Sequence, residues 1–449
     1  MTDSNVWRTD YRVLLAVVEP YCPQNAQPHP TTPVKSNATR RGSFRVMRNA
    51  SLLVVIATVL AGCATYRAQP LGTRSTLPND IPALSIDPRT MPLPELAAHR
   101  FDPSDGLDIT EVAMLAVVNN PDLKIARAAV GVANAQAFAA GLLPDPRFGA
   151  HTDVPDRGQP GTTVAKTFTL SFDVISMLTR APRYAAARQD ARKTDLNLLW
   201  MEWMVVSQAR LLFVRLTQER QLMEVLVQTR ALFGTRYGLT QTALDRGLLT
   251  LDAVTPHLVA LQDVTRQVND LERLTSQSRH DLNLLLGLAP DVDVPLVGSV
   301  ALPDLDDAAV VRLLPDLPRR RPDLIALQAG YAAEEQRLRA AVLTQFPGVG
   351  IDFSRISDPT NVRTAGMGVS LLLPIFNRNR GNIAIEKATR QQLYVEYQQR
   401  LNAANSGIDR ILAEQRINRR QLRDVDVGVA ELARAAEKSN AAFREHNIN

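Results

Sequence analysis

Two stretches of alternating apolar and polar residues constrain this chain more than any other feature. Between Phe148 and Ile175, residues Phe168, Leu170, Phe172 and Val174 alternate with Thr167, Thr169, Ser171 and Asp173. Between Val349 and Ile375, residues Val349, Ile351 and Phe353 alternate with Gly350, Asp352 and Ser354, and Met367, Val369, Leu371 and Leu373 share one side of a return strand. A period of two is that of a strand with one apolar and one polar face. The intervening loops, Pro155 to Thr162 and Arg355 to Thr364, are rich in Pro, Gly, Asp, Asn and Arg. Four strands cannot close a barrel, since about eight is the smallest common closed one, and an open pair of hairpins leaves edges exposed. The hairpins must therefore pack on a core or be completed by other copies of the chain.

The rest of the chain reads as helix, and it reads so twice. Asp108-Ile109-Thr110-Glu111 resembles a capping box and starts a helix that ends near Asn119. Asn120-Pro121-Asp122-Leu123 starts the next, with Asn as cap and Pro at the first helical position, and Pro144-Asp145-Pro146 breaks it beyond Leu142. Arg321-Pro322-Asp323-Leu324 opens a matching helix that Pro347 breaks. Pro121 and Pro322 are 201 positions apart (322 less 121), as are Leu142 and Leu343, Pro146 and Pro347, and Gly149 and Gly350; Arg180 and Arg380 are 200 apart. A constant offset across helix start, breaker and strand marks an internal duplication.

A long helical segment follows each hairpin, Pro182 to about Tyr237 and Asn382 to about Phe443. Some 55 residues make a helix of about 80 Å, far beyond the ordinary globular length. Leu211, Val214, Leu222, Val225 and Leu226 carry an apolar stripe along the first. Gly238 and Gly247 break the pattern between Tyr237 and Thr250, and another long helix runs from Leu251 to about Leu286, with Pro256 near its start. The expected organisation is a first copy over 106–290, a Pro/Asp/Leu-rich linker over 291–320 and a second copy over 321–449. The fold class is mainly α with a small β part.

Before the first copy, Arg48, the apolar run Ser51 to Leu60 and Leu60-Ala61-Gly62-Cys63 form a secretory signal over 47–62, too short to span a bilayer as a helix. The Pro-, Gln- and Thr-rich 1–46 reads as disordered, or as sequence upstream of a true start at Met47. Residues 63–105 read as an extended tether.

No catalytic constellation is present. His29, His99, His151, His257, His280 and His446 are dispersed, Cys22 and Cys63 sit in no Cys/His cluster, and no P-loop, GxSxG or HExxH occurs, so neither an enzyme nor a cofactor or metal site is expected. Glu334-Glu335 reads as a solvated helix face. The formal charge of +5 is scattered, without a basic block interleaved with aromatics, which argues against nucleic acid.

Asn120-Pro121-Asp122-Leu123, Leu142-Leu143-Pro144-Asp145-Pro146, Arg320-Arg321-Pro322-Asp323-Leu324 and Leu373-Pro374-Ile375-Phe376-Asn377-Arg378-Asn379-Arg380-Gly381 resemble, in this order, the motifs of the outer-membrane efflux protein family, the TolC-like channels. Arg246-Gly247-Leu248 with Asp252 resembles the family's periplasmic hairpin, and Leu-Ala-Gly-Cys resembles the bacterial lipobox, which implies lipidation of Cys63 and, with Ala64 next, retention at the outer membrane. The resemblance covers about Cys63 onward. It implies a homotrimer whose four strands per chain give a 12-stranded transmembrane barrel, above a tunnel of long helices that docks on a periplasmic adaptor coupled to an inner-membrane RND-type pump. It implies export of drugs or heavy-metal ions without a cofactor. Thr167, Thr169, Ser171 and Asp173 would then face the lumen; a soluble sheet with a polar outer face reads the same. Asp245, Arg246, Gly247, Leu248 and Asp252 would form the adaptor-docking tip or periplasmic gate; plain turn chemistry reads the same. The second copy aligns with the first only to the residues around His446, so the family's last long helix is expected to be lacking, and a fragment, a frameshifted product or a degenerate channel stays open. The alternative is a non-pore periplasmic lipoprotein with a helical scaffold.

Overall fold

The computed structural model describes residues 66–81, 86–156, 161–298 and 306–444. Cys63, the signal segment 47–62 and residues 1–46 lie outside the described residues, as does His446. The chain divides into two units, Met1–Ser75 and Thr76–Asn449. In the first, the described residues 66–75 carry no regular element and are exposed throughout. Every regular element among the described residues belongs to the second.

Helix α1 (Ile109–Asn119) begins where the sequence places it. Asp108 Oδ1 accepts from the Thr110 and Glu111 backbone N–H groups at 2.7 and 2.8 Å, and Glu111 Oε2 accepts from Asp108 N at 2.9 Å. Aspartate therefore completes the capping box in the place serine usually takes. Helix α2 (Pro121–Gly141) is capped by Asn120, whose Oδ1 accepts from Leu123 N at 3.0 Å while its Nδ2 donates to Leu285 O at 2.9 Å. Strands β1 (Arg147–Asp153) and β2 (Ala165–Asp173) follow, then helix α3 (Val174–Asp245) and helix α4 (Leu251–Leu285). The second copy repeats the order with helix α6 (Pro322–Leu343), β3 (Gly348–Ser357), β4 (Arg363–Leu372) and helix α7 (Arg380–Arg444). Between the copies lies helix α5 (Asp307–Leu313).

Helix α3 is the spine. Its 72 residues make about 108 Å, and α1, α2, α4 and α6 all pack along it, while α7 packs on α6. Buried side chains hold these helices along their length, and two regions stand out among the described residues. One joins the middle of α3 (Val206, Ala209, Leu212, Phe213, Leu216) to α1 and to Leu282, Leu286 and Leu288. The other is built from small residues on α3 and α6, among them Ala186, Ala191, Ala326, Ala329 and Ala333, which let the helix axes approach closely. The β-sheet lies beyond the latter region, and all four neighbouring helices join it at one end; the two strand–strand loops lie at the other.

Several expectations need correction. Helix α3 starts eight residues before Pro182, because Asp173 caps it: its Oδ1 accepts from Ile175 N at 3.1 Å and Ser176 N at 3.3 Å. Pro182 is buried inside the helix, which passes through it and through Gly238 to end only at Asp245. The stripe Leu211, Leu222 and Val225 is exposed; the buried face is one residue round, at Leu212 and Phe213. The linker, whose secondary structure the sequence leaves open, holds α5, then a 3-10 turn, Leu314–Asp316, and a helical turn, Leu317–Arg320. The expected tether is not extended throughout: Ile81, Ile86, Met91 and Leu96 are buried in the first core, and short helical turns form at Pro88–Thr90 and Pro94–Ala97. Glu334-Glu335 is no solvated face; Glu334 is 1% exposed.

Candidate functional site: a two-faced sheet and a helical tip

The sheet is antiparallel in the order β1-β2-β3-β4, so β2 pairs with β3 and the two hairpins are joined. Phe148 faces Leu170, Leu170 faces Phe353, and Phe353 faces Met367 across the three ladders. Because side chains alternate, this register puts Phe148, Phe168, Leu170, Phe172, Val349, Ile351, Phe353, Met367, Val369 and Leu371 on one face. Phe148 and Phe168 stack with ring centroids 6.2 Å apart, and Phe172 meets Phe353 edge-on at 6.4 Å. Among the described residues nothing covers much of this face: Phe148 is 70% exposed and Met367 72%. A contiguous apolar patch of this kind marks an interaction surface.

The other face carries Gly149, His151, Thr167, Thr169, Ser171, Asp173, Gly350, Asp352, Ser354, Gly366, Gly368 and Ser370. Thr167, Thr169, Ser171 and Asp173 thus sit together, as the alternation predicts. Asp173 differs from the other three in that its carboxylate is engaged in capping α3, with Ser176 Oγ donating to Oδ2 at 2.5 Å. Glycines line this face because the neighbouring hydroxyls occupy the space a side chain would need: a Cβ on Gly149 would lie 2.6 Å from Thr169 Oγ1. Among the described residues the outer strands β1 and β4 are each paired on one side only, so both sheet edges are open.

Asp245, Arg246, Gly247, Leu248 and Asp252 come together at the α3–α4 turn, at the far end of α3 from the sheet. Gly247 has φ +73°, which a residue without Cβ adopts freely, and Leu248 N donates to Ala243 O at 2.8 Å, closing the helix end. The N-cap of α4 is Thr250, and Asp252 lies in the first turn, where a carboxylate complements the helix dipole. Leu248 is exposed.

Where sheet meets helices, the two copies satisfy the same need with different residues. A helix C-terminus leaves carbonyls without partners. Arg180 Nε donates to Gly141 O at the end of α2 at 2.8 Å, and Asn379 Nδ2 donates to Ala341 O near the end of α6, also at 2.8 Å. Asn379 and Arg378 hold φ +53° and +47°, so the Asn-Arg-Asn-Arg-Gly turn is a left-handed corner pinned by that bond.

Below this corner lies a charged cluster that sequence reading missed. Arg337 on α6 bonds Glu334 on its own helix at 3.1 Å and Asp190 on α3. Glu334 Oε1 has no donor, and Glu386 on α7 lies against the same carboxyl. Burial, and then the proximity of Glu386, push the Glu334 carboxyl up to about 7. Its neighbour Glu335 pairs with Arg390 of α7 at 3.4 Å. The signal in the sequence was the i,i+3 spacing of Glu334 and Arg337 within an Ala-rich helix, which has little room for a solvated acid.

His99, Asp108 and Glu111 cluster closely enough to hold a metal ion. Their geometry serves another purpose: both Glu111 oxygens accept backbone N–H groups, from Asp102 at 2.8 Å and Asp108 at 2.9 Å, and the cluster sits on the positive end of α1. Among the described residues no helix is long and apolar enough to cross a membrane.

No family model matches the chain, and neither does any curated protein. Solved structures do. A CusC structure, described in terms of folding and transmembrane channel formation, matches with TM-score 0.60 at 18% identity over 85% of this chain and 90% of that one. A membrane protein from Pseudomonas aeruginosa matches with TM-score 0.61 at 17% identity, over 86% and 91%. The outer membrane protein VceC of Vibrio cholerae matches with TM-score 0.56 at 16% identity, over 69% and 79%. At these identities the likeness is one of fold, and it joins the sequence motifs, the duplication and the two-faced sheet: the chain has the TolC-like fold of the outer-membrane efflux channels.

Proposed function

We propose that this chain is one protomer of an outer-membrane channel, a passive conduit for the efflux of small toxic compounds, drugs or heavy-metal ions, from the periplasm to the outside. The observation that carries this is the sheet: an exposed apolar face, a small and polar opposite face, and two open edges. Lipid covers the first, a water-filled lumen suits the second, and two further copies pair the edges into a closed 12-stranded barrel, since a membrane-spanning sheet must leave no backbone group unpaired. Strands of seven to ten residues are close to the length a tilted strand needs to cross the hydrocarbon.

In this reading α3, α4 and α7 line a helical tunnel. The unpaired apolar side chains of α7, among them Leu422, Val425 and Leu432, suit packing against a neighbouring protomer. Asp245, Arg246, Gly247, Leu248 and Asp252 form the periplasmic tip, where an adaptor joined to an inner-membrane RND-type pump docks. The energy comes from that pump, and the chain itself does no chemistry and needs no cofactor. Acylation of Cys63 would add an anchor in the same membrane.

Single-channel recording in planar bilayers tests the conduit. Wild-type protein should conduct, and a charged methanethiosulfonate reagent should block Thr169→Cys but not Leu170→Cys. Silence of the wild type, or equal block of both variants, would favour a non-pore helical scaffold.

A further inference from the structure

The apolar face of the sheet ends in cations. Lys166 on β2 and Arg363 on β4 both pair with Ser357 of β3, one from each side, and Arg355 lies two residues from Ser357 on the same face. With strands about 4.8 Å apart and alternate residues about 6.8 Å apart, the three Cα atoms form a triangle of about 8–10 Å a side, within which three long side chains can converge on one group. They border a recess of about 450 Å3, which Phe168, Thr163 and Asn361 also line. None of the three is ion-paired to a described residue, and all three are exposed. They stand at the loop end of the sheet, away from the helices. The polar face opposite carries no such row.

We propose that Lys166, Arg355 and Arg363 form a binding site for the phosphate of a membrane lipid. The proposal rests on the channel reading, in which this face meets lipid and its loop end lies at the outer leaflet. Two properties of the surface select the ligand. The cations need an anion, and guanidinium groups match phosphate oxygens in a fixed fork. The apolar face running directly from them, Phe168, Leu170, Phe353, Met367 and Val369, takes acyl chains. A free phosphate uses the first property only; a phospholipid or phosphorylated glycolipid uses both. Basic pockets at a membrane boundary recognise lipid head groups in this way. Lys166, a charged residue out of place in an apolar row, thus becomes one arm of the site.

The test is native mass spectrometry of the full chain, extracted in mild detergent, with dioleoyl phosphatidic acid, dioleoyl phosphatidylcholine or inorganic phosphate added. Phosphatidic acid should be retained at concentrations at least about tenfold lower than phosphatidylcholine, given the attraction expected of three cations. The triple variant Lys166→Gln, Arg355→Gln, Arg363→Gln should lose this preference. A charge-matched triple on α7, Arg420→Gln, Arg423→Gln, Arg434→Gln, should keep it. Equal retention by both triples would overturn the site, and displacement of the lipid by millimolar inorganic phosphate would overturn the lipid as its occupant. The channel reading is scored separately, by recovery of wild type and both triples in the outer-membrane fraction. A wild type absent from that fraction that still prefers phosphatidic acid through Lys166, Arg355 and Arg363 refutes the channel and keeps the site.

Discussion

Thr169 lies directly across the ladder from Gly149, with its Oγ1 where a glycine Cβ would be, and 201 residues later Ser370 stands to Gly350 in the same way. The duplication thus extends to side-chain packing: in each hairpin a hydroxyl lies over a glycine on the polar face. Gly350→Ala should cost about 1–2 kcal/mol, as overpacking of an ordered contact does. Ser370→Gly added to it should recover most of that loss. A double-mutant cycle from thermal unfolding of the purified protein reads the coupling, and additive effects of the two changes would show that the contact does not constrain the hairpin.

The assignment of faces predicts opposite outcomes for adjacent residues. Leu170→Arg places a charge on the apolar face and should block membrane assembly, since a cation near the bilayer midplane costs about 2–4 kcal/mol per chain. Thr169→Arg should assemble. Fractionation of outer membranes compares the two, and equal yields would invert or abolish the face assignment.

Glu334 makes stability depend on pH. Its carboxyl is raised from the ordinary 4.5 to about 7 in the folded chain, chiefly by burial. Between those values the folded protein holds a proton that the unfolded chain releases, so the stabilisation is complete below about pH 4.5 and is lost as pH rises through 7. The melting temperature should fall by a few degrees between pH 5.5 and pH 8, an order of magnitude set by the size of the protein. In Glu334→Gln, which keeps a neutral group there, that fall should largely disappear. Parallel pH profiles of the two proteins would exclude Glu334 as the group responsible.

Gly247 holds φ +73° with nothing within 4 Å of the place a Cβ would take, so a substitution there meets conformational strain and no clash. Gly247→Val should loosen the tip by about 1–2 kcal/mol, the cost of a left-handed side chain, and leave the global melting temperature nearly unchanged. Hydrogen exchange should show the loss confined to residues near the α3–α4 turn. If the tip docks an adaptor, export measured by resistance to a toxic compound should fall with it; unchanged exchange would mean that the turn does not need glycine.

The features legible in the sequence were those carried by local pattern. Alternation at Phe168, Leu170 and Phe172 gave the strands and their faces, and Pro121 with Pro322, and Gly149 with Gly350, gave the duplication. The length of α3 was misjudged because Pro182 and Gly238 are ordinary stop signals, yet the Asp173 cap starts the helix ahead of Pro182, which is buried within it, and the helix runs on past Gly238 beside α4. Its buried stripe was misplaced by one residue because apolar side chains lie on both sides of it, Leu211 outside and Leu212 within. Of the Glu334 cluster only the Glu334–Arg337 spacing lies in local pattern; its partners Asp190 and Glu386, like the Lys166–Arg355–Arg363 triad, come from different elements, which local pattern does not join. The pairing of β2 with β3, which assembles that triad, is a long-range choice that neither hairpin encodes alone.

The oligomeric mass of the protein extracted from outer membranes in mild detergent tests the central claim most directly. A mass of three chains is the expected result, because three four-stranded sheets close one barrel and pair every open edge. A single chain in the membrane fraction, or protein absent from it, would contradict the channel.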